Sequence, residues 1–407
     1  MIIFRLYFIP LPTPASGIKE LTSPGSPMAF LFLKFLEGMK ILAKSPTFAK
    51  SPTFARDPRQ LQFEVDINRL FLYTSYNLLG KNADEADAEQ IIEMASKSSV
   101  AIQQMQVQEN VHSQIRTFCT VMDEILVNDP LGSSLQASDR AVLKQRPLSQ
   151  AEISQKLKDQ LGYTLNVKPS GIPHKDSGQG LFLDGEVDVG SVVAFYPGVV
   201  YSPVYYGHIP GYLNEQNPYL ISRYDGMIID AQPWISGGEG QGVWNGRKML
   251  ENKVDMDGTG KVSDSLSKPL EGTHTDNCDD VVEGRNPLAL AHFANHPAKG
   301  MLPNVMICHY DSPLTENNMR LYIPNILFGN EEENVKSFDR FWFKSRVSKD
   351  SESHVPTLKT LVLVATRALQ DEELLMNYRF NNSKQWPEWY VPVNEEEDMS
   401  GEDGTTQ

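Results

Sequence analysis

The sequence predicts an α+β protein in which helices come first and short β-strands follow. Apolar residues recur at spacings of mostly three to four positions between residues 102 and 125, the period of one buried helical face: Ile102, Met105, Val111, Ile115, Phe118, Met122 and Ile125. From residue 167 to residue 201, glycines, prolines and alternating apolar residues are typical of short strands joined by tight turns. The apolar run at 361–364 predicts a further strand.

Composition limits the function further. The 407 residues carry a formal net charge of -15, and 40% of them are hydrophobic, which is enough for a sizeable core. Because such an acidic chain would repel a polyanion, we expect no direct binding of nucleic acid. A basic partner such as a lysine-rich peptide suits this charge, although acidic surface equally serves solubility alone. Prolines or charges interrupt the apolar stretches 1–12 and 28–42, so we expect no membrane partner.

Cysteine usage favours a reducing compartment. Cys119, Cys278 and Cys308 are too few and too scattered for a disulfide framework or a thiolate zinc site. We therefore expect no metal, and a location in the nucleus or the cytoplasm. Few acidic residues precede Asp57, so a cleaved organelle-targeting leader stays open beside a disordered extension.

The chain divides into four predicted parts. These are a disordered leader and linker at 1–60, a helical module at 61–148, a strand-rich domain at 149–392 with a mobile insert at about 236–284, and an acidic disordered tail at 393–407. Ser149 and Glu152 form a capping-box signature, which predicts a helix that ends near Gly162.

The helical module should contain three helices. The first precedes Gly80, Asp84 and Glu85 open the second, which contains Ile91 and Met94, and the striped segment forms the third. We expect the module to pack on the strand-rich domain and to carry no chemistry. Its alternative role is to dock a partner.

Four motifs bring glycines and rare polar residues together in a fixed order. They are Gly178-Gln179-Gly180, Gly190-Ser-Val-Val-Ala-Phe-Tyr196-Pro-Gly198, His292-Phe293-Ala294-Asn295-His296 followed by Pro303-Asn304, and Asp371-Glu372-Glu373-Leu374 with Tyr378 seven positions after Asp371. Each motif alone is weak, because an Asn-His pair is commonly a satisfied turn and a tyrosine commonly a core ring. In this order, over residues 168–380, they resemble the SET-domain protein methyltransferases.

The resemblance implies a mostly-β SET domain, with short strands in small sheets and a knot-like crossing near the C-terminus. It also implies S-adenosyl-L-methionine as the methyl donor and a lysine of a protein or peptide as the acceptor. The candidate donor-binding residues are then Gly178, Gln179, Gly180, Asn295, His296 and Tyr378. Tyr378 is the candidate catalytic residue, whose hydroxyl would orient the lysine amine. Tyr196 and Phe293 are candidate walls of the substrate channel, although a core role is the simpler assumption for both.

Three positions depart from the family pattern. His292 stands where the family has arginine, Pro297 where it has serine and Asp371 where it has glycine. A left-handed backbone at Asp371 would tolerate aspartate with modest strain, whereas Pro297 alters the donor pocket. These departures leave open a second interpretation, a weak or inactive SET module that acts in protein interaction. A zinc hydrolase is a third, because His292 and His296 have metalloprotease spacing, but Phe293 stands where the catalytic glutamate belongs.

Overall fold

The described part of the chain is an α+β structure with helices at its N-terminal end and small sheets after them. The computed structural model describes residues 58–80, 85–127, 148–212, 217–235, 286–329, 356–380 and 386–393. The predictions for residues 1–57, for the insert at 236–284 and for the tail from 394 onward lie outside these ranges. None of the described helices is both long enough and apolar enough to cross a bilayer.

The first four helices form where the sequence predicts them, whereas a short fifth helix lies in a segment that we predicted to be strand-like up to Ile326. They are α1 (Pro58–Leu79), α2 (Glu85–Lys97), α3 (Val100–Val127), α4 (Gln150–Leu161) and a short α5 (Asn317–Arg320). At the start of α4 the Ser149 hydroxyl accepts a bond from the Glu152 N–H at 3.3 Å, and the Glu152 carboxylate accepts one from the Ser149 N–H at 2.8 Å. The helix is capped by Gly162 with a φ of 89°. The capping-box prediction is therefore confirmed.

The buried face of α3 starts at a different residue from the one predicted. Five predicted core residues are buried, namely Val111, Ile115, Phe118, Met122 and Ile125. Ile102 and Met105 are instead 52% and 60% exposed, so these two predictions were wrong. The stripe runs back through Val107 to Gln103, four residues earlier. The Gln103 amide nitrogen donates to two carbonyl oxygens near the α2–α3 junction, at 2.8 and 3.3 Å.

Short strands form three sheets within the described residues. The strands are β1 (Tyr163–Pro169), β2 (Gln179–Val187), β3 (Val192–Tyr196), β4 (Gly198–Tyr201), β5 (Leu220–Ser222), β6 (Ile228–Asp230), β7 (Val305–Pro313), β8 (Asn325–Leu327), β9 (Thr357–Ala365) and β10 (Leu369–Gln370). The sheet orders are β1-β2-β10, β3-β9-β7 and β5-β6-β4-β8. Strand pairs are antiparallel except for β4 with β8. The coarse prediction of an α+β chain with small sheets is confirmed.

The helices and the sheet β3-β9-β7 share one hydrophobic core. Rings of Phe118 on α3 and Phe195 on β3 lie 5.4 Å apart, both buried. Two glutamines of α3 also bond to strand backbones. Gln108 donates to the His309 carbonyl oxygen at 2.5 Å, and Gln114 accepts from the Val192 N–H at 2.7 Å. The helices are thus joined to β3 and β7 by polar as well as apolar contacts.

Candidate functional site

The late segment 371–378 brings the sequence motifs together in space. Leu375 forms a parallel bridge with Asn295, and Met376 forms one with Val305. The Met376 N–H donates to the Asn295 carbonyl oxygen at 2.8 Å. The late segment therefore lies alongside both the Asn-His turn and the start of β7.

Asn304 holds the late segment with both its side chain and its backbone. Its amide donates to the Glu373 carbonyl oxygen at 2.8 Å and to Glu372 Oε2 at 3.0 Å. Its Oδ1 accepts from the Leu375 N–H at 2.7 Å, and its own N–H donates to the Leu375 carbonyl oxygen at 3.0 Å. Asn304 is only 2% exposed, so these bonds replace those with water.

The two glutamates of the late segment have structural partners. Glu372 pairs with Arg367, whose Nη1 lies 2.6 Å from Oε1. Glu373 accepts from the Ser170 hydroxyl at 2.6 Å and from the Gly171 N–H at 2.8 Å. Both carboxylates thus fix the late segment to neighbouring loops, and neither is free to act as a general base.

The two glycines of the Gly-x-Gly motif meet different surroundings. Gly178 has a φ of 56°, and within the described part of the chain a Cβ there would meet no atom closer than 4 Å. A Cβ on Gly180 would lie 2.2 Å from Glu373 Oε1. Gly180 therefore makes room for a carboxylate of the chain itself, whereas Gly178 borders open space.

Asn295 links this turn to the late segment. Its amide donates to the carbonyl oxygens of Ser177 at 3.1 Å and of Gln179 at 3.0 Å. Gln179 itself is exposed at the start of β2. Among the described residues no donor reaches the Asn295 Oδ1, which leaves one acceptor beside Gly178.

His296 uses both of its ring nitrogens within the chain. Nδ1 accepts from the Tyr378 N–H at 3.2 Å, and Nε2 lies 2.8 Å from the Val391 carbonyl oxygen. This pattern requires the neutral ring, and burial lowers the pKa of His296 accordingly. Any contact of His296 with a ligand must then come from its main chain. In the described ranges no group of three or more histidine, cysteine and acidic side chains is arranged to hold a metal.

Tyr378 belongs to an aromatic cluster, which we define as His296, Tyr378, Phe380, Trp389 and Tyr390. Its hydroxyl donates to the Ala294 carbonyl oxygen at 3.1 Å. Ring centroids of Phe380 and Trp389 lie 5.7 and 6.2 Å from that of Tyr378. Burial raises the pKa of Tyr378 above its usual value, and the nearby Tyr219 adds to the effect. The phenol therefore keeps its proton at neutral pH.

The predicted channel walls differ in exposure. Tyr196 is 6% exposed and donates its hydroxyl to the Tyr219 carbonyl oxygen at 3.0 Å. Phe293 is half-buried, with its ring 4.3 Å from that of His292. Neither ring nitrogen of the buried His292 has a hydrogen-bond partner in the described part of the chain. Tyr196 is thus part of the core, and Phe293 reaches its margin.

Acid should destabilise the fold through buried histidines. Burial lowers the pKa of His292 to about 4 and that of His309 to about 3. An unfolded histidine titrates near pH 6.5, so their stabilising effect is present above about pH 6.5 and is lost as pH falls towards these values. We expect each to lower the free energy of unfolding by about 2 kcal/mol between pH 7.5 and pH 5. Urea unfolding at both pH values measures the loss.

Two variants test the source of this acid effect. His292→Phe should remove one histidine's share of the loss, because the ring is kept and the titrating nitrogens are removed. The exposed His208→Gln should leave the loss unchanged. A pH dependence that is equal in both variants would show that His292 is not buried in the neutral form.

Sequence reasoning missed several contacts that form the site. The sequence singled out Asn304 and Glu373, because both belong to the quoted motifs. It did not indicate their hydrogen-bonding partners, which lie up to 203 positions away. The bonds between Arg379 and Asp66 span 313 positions and left no sequence signal.

Comparisons with known proteins add no assignment to this geometry. No family model matches the chain, and no curated protein matches it.

Proposed function

We propose that this chain is a SET-domain protein-lysine N-methyltransferase that uses S-adenosyl-L-methionine. One observation carries the proposal: Tyr378 bonds to the Asn-His turn twice, through its hydroxyl to the Ala294 carbonyl oxygen at 3.1 Å and through its N–H to His296 at 3.2 Å. Residues more than 80 positions apart thus meet as the family resemblance predicts. The parallel bridges of the late segment support the knot-like crossing that the family implies.

The residues beside the Gly-x-Gly turn suit the proposed donor. S-adenosyl-L-methionine supplies an electrophilic methyl group on a positively charged sulfur. Gly178 would let the donor approach the backbone, because no atom lies within 4 Å of a Cβ placed there. Asn295 Oδ1 would accept a hydrogen bond from an amine or hydroxyl of S-adenosyl-L-methionine. The main chain of His296 would supply a further hydrogen bond to the same molecule. The side chain of Gln179 is exposed beside the same turn.

The aromatic cluster suits a lysine acceptor. An exposed lysine has a pKa of about 10.4, so presenting the neutral amine at pH 7 costs about 4 to 5 kcal/mol. Removal from water disfavours the ammonium form, and a neighbouring positive donor has the same effect. No strong base is then required. This agrees with the structural engagement of Glu372 and Glu373.

Tyr378 would act by positioning the amine. Its hydroxyl proton is directed at the Ala294 carbonyl oxygen, so the phenol oxygen keeps lone pairs for an amine N–H. Because burial keeps the phenol protonated, its hydroxyl oxygen would act as a fixed hydrogen-bond acceptor and not as a base. Alignment of this kind supplies several kcal/mol in intramolecular reactions.

The substrate and location follow as parts of the same proposal. The net charge of -15 favours a lysine-rich protein or peptide over nucleic acid. Cys119 and Cys308 are buried free thiols, which suits the nucleus or the cytoplasm. The segment at 217–230 is similar to the subfamily of SET domain-containing protein 9.

We expect Tyr378→Phe to reduce methyl transfer about 10- to 100-fold, and to weaken binding of S-adenosyl-L-methionine by a smaller factor than it slows transfer. Transfer is measured with labelled S-adenosyl-L-methionine and cell lysate, and donor affinity by calorimetry. Tyr163→Phe is the matched control, because its hydroxyl also donates to a main-chain carbonyl oxygen, that of Val192, at 2.8 Å. Tyr163 pairs with Gly185, about 20 Å along β2 from Gln179, so it should leave transfer unchanged.

Two outcomes would contradict this assignment. Equal labelling by wild type and Tyr378→Phe would reject the role of the tyrosine. A wild-type chain that binds no donor while lysine-rich partners co-purify with it would favour the protein-interaction module instead of the enzyme.

A further inference from the structure

The residue after Tyr378 has an unusual backbone. Arg379 has a φ of 49°, in the left-handed region that a residue with a side chain adopts at some energetic cost. Its N–H donates to Asn377 Oδ1 at 3.0 Å. This bond spans Tyr378, so the backbone on both sides of Tyr378 is fixed while Arg379 keeps this conformation.

The Arg379 side chain reaches helix α1. Its guanidinium makes two bonds to Asp66, from Nη1 to Oδ2 at 2.5 Å and from Nη2 to Oδ1 at 2.8 Å. Asp66 also accepts from the Tyr224 hydroxyl at 2.5 Å and from the Gln62 amide at 2.9 Å. Parallel bonds of this kind fix the plane of the guanidinium as well as its distance.

The pair is buried enough to require both partners. Asp66 is 4% exposed and the Arg379 side chain 19% exposed. Taking both charges out of water offsets most of their attraction, so such a pair adds little net stability. Removing one partner is costly, because the other charge stays buried alone. This ion pair contributes little stability and lies at a strained residue beside Tyr378. Its role is therefore to fix the local backbone conformation.

We propose that Asp66 of α1 is a positioning residue for Tyr378, acting through Arg379. The ion pair holds Arg379 in its left-handed conformation, and that conformation sets the direction of the tyrosine ring. This inference rests on the proposed function for the catalytic role of Tyr378, but the geometric link stands independently of it. The N-terminal helix is then part of the active site, although Asp66 precedes Tyr378 by more than 300 positions in the sequence.

Asp66→Asn tests the link, because it keeps the shape of the side chain and removes its charge. Leu72→Ala is the control: Leu72 lies on the same helix, fully buried, so its loss destabilises α1 without touching Arg379. In protein labelled with ¹³C-tyrosine, the Tyr378 signal is assigned by its absence in Tyr378→Phe. We expect Asp66→Asn to shift or broaden this signal and Leu72→Ala to leave it in place.

Transfer kinetics give the second measurement. We expect Asp66→Asn to lower kcat on the order of 10-fold or more, with the Kd for S-adenosyl-L-methionine within about twofold of wild type. An unchanged Tyr378 signal in Asp66→Asn would overturn the inference, as would an equal shift in Leu72→Ala. If Asp66→Asn shifts the Tyr378 signal but the wild-type protein transfers no methyl group, the proposed function is rejected and the geometric link is kept.

Discussion

Gly190→Ala is expected to lower the free energy of unfolding by more than about 3 kcal/mol. Gly190 has a φ of 79°, and an added Cβ would lie 2.0 Å from the Tyr73 carbonyl oxygen and 2.5 Å from the Tyr73 carbonyl carbon. These are backbone atoms of α1, so no side-chain rotation relieves the overlap. The Gly190 N–H also donates to the Ala365 carbonyl oxygen at 2.8 Å, which prevents the turn from moving away.

Gly80→Ala separates the two causes of this loss. Gly80 has a similar φ of 71°, but a Cβ there would meet no atom of the described residues within 4 Å. It should therefore show the backbone strain alone, about 1 to 2 kcal/mol. Urea unfolding of both variants measures the difference. If the two variants lost equal free energy of unfolding, the contact between α1 and the turn at Gly190, just before β3, would open at no cost in stability.

Asn304→Asp should be similarly destabilising and should also weaken donor binding. The new carboxylate oxygen would replace the amide and face Glu372 Oε2 at 3.0 Å and the Glu373 carbonyl oxygen at 2.8 Å. Two lost donors and a buried like charge cost about 3 kcal/mol or more. Because the late segment carries Tyr378, its loosening should also reduce affinity for S-adenosyl-L-methionine. Calorimetry and urea unfolding measure the two effects.

The pH dependence of this variant gives a further check. Protonation restores one donor to the new carboxyl group, so the loss of stability should be smaller at about pH 5 than at about pH 8. Asn68→Asp is the control, since the Asn68 amide donates only to the Glu64 carbonyl oxygen on the half-buried side of α1. It should cost less than about 1 kcal/mol. A comparable loss in both variants would mean that Asn304 does not hold the late segment.

Local signals in the sequence predicted most of the helices and strands. The capping box at Ser149 depends on residues three positions apart, so it can be read directly. Asp371 has a left-handed backbone with a φ of 46°, the conformation in which we expected aspartate to be tolerated. Apolar periodicity failed only at the start of α3, where Gln103 takes a buried position by bonding to carbonyl oxygens. A hydrophobic pattern cannot register a buried polar residue that is satisfied in this way.

The site was only partly predictable for a different reason. The motifs predicted that Asn295, His296 and Tyr378 would meet, but not which groups bond to which. The carboxylate of Glu373 beside Gly180 and the pair formed by Asp66 and Arg379 depend on how separate segments pack. One sequence holds no record of such long-range pairs, since neither partner follows a local pattern.

The position of the late segment also has a consequence for synthesis on the ribosome. Residues 371–378 are translated after every strand that they bridge. The bridges from β2 and β7 to this segment can therefore form only after it has been synthesised. Contacts between distant parts of a chain slow folding and leave strand edges unprotected in the meantime. Nascent chains that stop before residue 371 should therefore be prone to aggregation and to recognition by chaperones. A frameshift in this region would then deplete the protein itself and not merely its activity.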